Sequence, residues 1–194
     1  MTSPRYGPGQ LFRFSWYFYL FLAIAGLVWI GLQRGTIPAE LFFSPATWWL
    51  DLALGLGVAA ALLAAWAAGR RWVAAARELE RRVAELLGPI EPAEAVGLAF
   101  LSGVAEEVFF RGAVQEAWGW LVAAVLFALL HTGPGRALRL WTVFAAVAGL
   151  ALGAVTLVTG NLLAAITAHF VVNAIGLSRV GRIASTRSET GSDT

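Results

Sequence analysis

Of the chain's 194 residues 59% are hydrophobic and 13% charged, with a formal net charge of +2, against roughly 25% charged residues in ordinary soluble domains. With a mean hydropathy of +0.72, this composition excludes a soluble domain, and the basic residues, all arginine, flank apolar segments instead of forming the polar basic face of a nucleic-acid binder. Cysteine is absent, which excludes disulfides and thiolate chemistry.

Met1 to Gln10 hold Pro4, Pro8 and a single arginine. The apolar stretch that follows is too long for a secretory signal and lacks a small-residue cleavage site, so it reads as a retained span. Phe14 to Leu32 carries no charge and has about the twenty residues that cross a ~30 Å hydrocarbon core. Its start, Phe14 to Tyr19, reads as an interfacial aromatic belt. Gly35, Pro38 and Pro45 mark a loop, and a second span is predicted over Trp48 to Ala68, with Asp51 near its mouth.

From Gly69 to Leu87, arginines alternate with Glu78, Glu80 and Glu85, while Trp72, Val73, Ala76, Leu79, Val83 and Leu86 keep helical spacing. This predicts an amphipathic helix, lying on the membrane surface or packing over the bundle. Gly88-Pro89 ends it, and Pro92 with Glu94 starts a new helix. A third span is expected over about Ala93 to Ala117, a short fourth over Trp120 to His131, a fifth over about Leu138 to Val158 and a sixth over Leu162 to Leu177. The polar tail from Ser178 to Thr194 is expected to be disordered. Neither a repeat nor a long linker divides residues 1–194, so the chain reads as one all-α domain, a polytopic membrane bundle of about six transmembrane helices. If the connector at 69–87 is cytoplasmic, twelve of the fourteen arginines fall on that side, with Arg34 outside and Arg111 within the membrane. An inner or plasma membrane protein with both termini cytoplasmic follows.

The spans hold few ionisable residues: Glu106, Glu107, Arg111, Glu116, His131 and His169, the last two being the only histidines. At the bilayer centre each such group costs roughly 2.5–3.5 kcal/mol by insertion scales, which argues for partners and a task. On a helix Glu107 and Arg111 share a face, whereas Glu106 is turned about 100° away. One carboxylate can therefore be neutralised by the arginine and the other left free. His169 shares a face with Asn173, and His131 follows Phe127 by one turn. Taken singly these residues have ordinary readings: a buried ion pair at Glu107 and Arg111, interhelical hydrogen bonds at the histidines, packing at Ser102 and Phe127, solvation at Glu116. The set outweighs them, because a free carboxylate, two imidazoles and an amide lie on three helices at compatible depths.

Glu106-Glu107-x-x-x-Arg111, Phe127-x-x-x-His131 and His169-x-x-x-Asn173, in that order on successive helices, resemble the CPBP family of intramembrane proteases, which includes the Rce1-like CAAX prenyl endopeptidases. The resemblance covers Glu94 to about Gly176. It implies a glutamic-type endopeptidase in which Glu106 and His131 activate water, His169 and Asn173 stabilise the oxyanion, and Glu107, Arg111 and Phe127 support them. The implied substrate is a membrane protein or peptide, cut near the C-terminus of a membrane-associated or lipidated chain, with the lipid bilayer as the other partner. Glu106, His131 and His169 would also make a zinc set with an open fourth position; the metal-free form is favoured because Asn173 and Arg111 have roles without an ion. The competing class is a non-catalytic membrane protein, either a carrier with a Glu/His proton relay or an immunity or scaffold protein. A carrier would be expected to show repeated halves.

Overall fold

The structure, a computed structural model, describes residues 10–192, with side chains over 13–186. It is an all-α membrane bundle, and no strand occurs among the described residues. The elements are α1 (Gln10–Arg34), a single 3-10 turn at Ala39–Leu41, α2 (Trp48–Trp72), α3 (Ala74–Leu87), α4 (Pro92–Glu107), a π-helical segment Val108–Val114, α5 (Gln115–Trp118), α6 (Trp120–Leu130), α7 (Arg136–Thr159) and α8 (Leu163–Ser192). Pro92 opens α4, where its missing N–H costs nothing, and Gly160, with a φ of 69°, closes α7 in the left-handed conformation.

Two expectations need correction. Four helices, not six, are long and apolar enough to cross a membrane: α1, α2, α7 and α8. The expected third span is divided by the π-helical segment and carries the charged residues, and the fourth, α6, has only 11 residues, ~17 Å of rise against a ~30 Å core. The tail from Ser178 was expected to be disordered, yet α8 continues to Ser192. Val180 and Ala184 pack with Ala84, and Arg179 donates to Glu80 at 3.1 Å, so the far end of α8 has its own partner. The expectations for residues 1–9 and 193–194 lie outside the described residues.

The amphipathic connector packs over the bundle. Glu80 on its buried face accepts hydrogen bonds from Trp66 at 3.0 Å and Arg179 at 3.1 Å, which ties α3 to α2 and α8. On the outer face Arg82, and then Arg81, hold the exposed Glu78 carboxyl below its ordinary value.

Helix directions fix what meets in the middle. α1 runs parallel to α4 and its continuation: Gly26 lies so close to Phe109 that a Cβ there would be 3.0 Å from the Phe109 Cα, Gln33 donates to the Ala113 carbonyl at 3.4 Å, and Arg34 pairs with Glu116. α2 is likewise parallel to α8, joined at one end by Asn161 donating to Asp51 at 2.8 Å. A Cβ on Gly55 would lie 2.5 Å from the Ala164 carbonyl oxygen, so the two backbones nearly touch. α4 is antiparallel to α8, with Gly103 seated against Phe170, and α6 is antiparallel to α7, with Trp120 donating to the Leu150 carbonyl at 2.9 Å. The last turns of α4 therefore lie between α1 and α8.

Candidate active site

Glu106 and Glu107 end α4 and point to different sides, as their spacing predicts. Glu107 is fully buried and its Oε1 receives two donors: Arg111 Nη1 at 2.9 Å and His169 Nδ1 at 2.6 Å. Arg111 also donates to the Gly149 carbonyl at 3.3 Å, and its guanidinium lies 4.5 Å from the centre of the Phe127 ring. The arginine thus satisfies a buried charge and reaches α6 and α7, as a buried guanidinium must if it is to be tolerated.

Phe127 is a wedge between the imidazoles, with ring centroids 4.5 Å from His131 and 5.9 Å from His169. His131 caps the C-terminus of α6. Its Nδ1 lies 2.7 Å from the Phe127 carbonyl, and its own carbonyl accepts from Thr142 at 3.0 Å. A carbonyl can only accept, so Nδ1 of His131 carries the hydrogen and, in the neutral ring, Nε2 presents its lone pair. The same holds for neutral His169, whose Nδ1 donates to the Glu107 carboxylate.

Both Nε2 atoms face one atom: Oε2 of Glu106 is 3.9 Å from His131 and 4.0 Å from His169. That oxygen is buried and has no hydrogen-bond partner. Three acceptors on three helices thus converge on one gap, an arrangement suited to a small molecule that donates hydrogen bonds and can lose a proton. Partners ~2.8 Å from a water and about 90° apart would be ~4.0 Å from each other. Two tetrahedral ligands of one zinc at ~2.0–2.1 Å would be only ~3.3 Å apart. As placed, the residues do not fit zinc without drawing together, and among the described residues no group of His, Cys, Asp or Glu is arranged to hold a metal.

Asn173 lies one turn further along α8 than His169 and stands off from this gap. Its Nδ2 donates to the Ser102 hydroxyl at 2.8 Å, and Ser102 donates to the Ala99 carbonyl at 3.2 Å. The structure thus brings Glu106, His131 and His169 together and sets Asn173 at the edge, aimed by a serine that reads from the sequence as packing. The spacing from Ser102 to Glu106 is the signal that could have found it, matching that from Asn173 back to His169 across an antiparallel pair. Glu107 does more than pair with Arg111, since it also holds His169. Glu116 is ion-paired to Arg34 rather than merely solvated.

A helical membrane bundle in which one buried carboxylate faces two imidazoles is the class that fold and site define. Residues 89–175 match the family Type II CAAX prenyl endopeptidase Rce1-like, so the chain carries an Rce1-like domain over rather less than half its length, and every residue named above from Ala99 to Asn173 lies within it. A similar protein is the uncharacterized protein YpbD of Bacillus subtilis (strain 168), 39% identical over 80 residues that make up 40% of this chain and 41% of that one. The chain therefore spans well under two thirds of that relative. No solved structure matches.

Proposed function

We propose that the protein is an intramembrane endopeptidase. The convergence of Glu106 Oε2 with the Nε2 atoms of His131 and His169 carries this reading, and the Rce1-like domain supports it. Glu106 and His131 take the proton of a water as its oxygen bonds to the scissile carbonyl carbon. The developing oxyanion is met by His169, which can donate from Nε2 when it carries a second proton with Glu107 as counter-charge, and by the Asn173 amide. Collapse breaks the C–N bond, and the proton held by Glu106 and His131 passes to the leaving amine. The substrate is a membrane-associated or lipidated protein cut near its C-terminus, and the termini of the enzyme face the cytoplasm.

The test is comparison of terminal peptides of the membrane proteome in cells carrying the parent protein, Glu106→Gln or no protein. Peptides that end at new C-termini with the parent alone are the expected outcome. Identical terminal peptides in all three would leave the carrier, immunity or scaffold reading in place.

A further inference from the structure

α1 lies outside the Rce1-like domain and shows most of its surface to the surroundings: Phe14, Tyr17 and Phe21 are each about 70% exposed. Tyr19 is turned inward. Its placement follows from the contact of Gly26 with Phe109, because α1 and α4 run parallel and Tyr19 precedes Gly26 by the seven residues that separate Ser102 from Phe109. Two turns back along both helices, Tyr19 is level with Ser102 and one turn from Glu106. There it lines a cavity of about 120 Å³ between α1 and α4, whose other walls include Trp16, Val104 and Ala105. A phenol in an apolar cavity needs a partner for its hydroxyl, and the groups within its reach are the Glu106 carboxyl and the Ser102 hydroxyl.

Resting on the protease reading, we infer that the Tyr19 hydroxyl is a positioning group of the site, hydrogen-bonded to the Glu106 carboxyl and holding it so that Oε2 faces both imidazoles. Glu106 is otherwise a side chain with one oxygen unpartnered and nothing printed by its own helix to fix its rotation. A donor from α1 restricts that rotation, and through Ser102 the same hydroxyl touches the residue that aims Asn173. The first helix thereby becomes part of the site and not merely its outer wall.

The experiment compares the parent, Tyr19→Phe, Tyr17→Phe and Glu106→Gln in lipid nanodiscs. In difference infrared spectra the band lost in Glu106→Gln belongs to the Glu106 carboxyl. Tyr19→Phe, which changes shape little, should displace that band and lower kcat about tenfold or more with KM unchanged, as loss of a hydrogen bond to a charged group predicts. Tyr17→Phe should do neither. A band that stays in place in Tyr19→Phe overturns the inference whether or not cleavage is seen, and so does a displaced band with full kcat. If the parent and Glu106→Gln generate the same terminal peptides, the protease reading fails while the band still decides whether Tyr19 holds Glu106.

Discussion

Nδ1 of His169 lies 2.6 Å from Oε1 of Glu107, while the other nitrogen of the same ring faces Glu106. Neighbouring glutamates thus address opposite edges of one imidazole, which is possible because α4 turns them about 100° apart. Glu107 also answers the Arg111 guanidinium. Glu107→Ala should therefore leave a buried cation uncompensated and destabilise the protein by ~3–5 kcal/mol, whereas Glu107→Gln, which keeps an acceptor, should cost less. Thermal unfolding in detergent measures both.

Glu106 behaves oppositely. Its buried Oε2 has no hydrogen-bond partner, so Glu106→Gln removes a charge that the fold does not need. Unfolding should be unchanged or shifted upward while cleavage falls by ~10²–10⁴-fold. A large drop in stability would mean that the carboxylate is structural.

Ser102→Ala should lower cleavage through Asn173, whose amide loses its acceptor. An unsatisfied buried donor costs ~1–3 kcal/mol. Initial rates should therefore drop more than in Thr142→Ala, which only releases the His131 carbonyl.

Gly55→Ala should push α2 from α8, because the new Cβ would meet the Ala164 carbonyl at 2.5 Å. Overpacking of this kind costs ~1–3 kcal/mol. Gly57→Ala, with open space around it, should unfold no earlier than the parent.

Activity of the purified protein should survive chelation, since the site's 3.9 and 4.0 Å separations suit a bridging water. Loss of cleavage with a chelator and its return with one equivalent of zinc would overturn this.

Much of the site was legible because the sequence writes it in single turns: Glu107 to Arg111, Phe127 to His131, His169 to Asn173. What spacing conveys is which side chains share a helix face. It does not convey which helices touch, so the ties from Glu107 to His169 and from Ser102 to Asn173, both across α4 and α8, stayed hidden. Tyr19 was masked for a different reason, since aromatic residues gather at membrane interfaces and its neighbours Trp16, Tyr17 and Phe18 share that composition. The number of full-length spans was overestimated because apolar character reveals burial in lipid or protein alike, and α6 is apolar without being long. The helical continuation of α8 was missed because Arg179 and Ser178 look solvated until Glu80 is placed beside them.

The π-helical segment Val108–Val114 has a consequence for how the chain tolerates change. Gln115 N–H bonds back to the Phe110 carbonyl, five residues away instead of four, so the helix carries surplus length at this point. Deleting one residue there would let ordinary winding resume and would rotate everything downstream by about 100°. Glu106 and Glu107 would keep their places, but Gln115 would swing from the Gly153 carbonyl and Glu116 from Arg34. A one-residue gap that touches none of the reacting groups would thus unlatch the half of the bundle that holds His131.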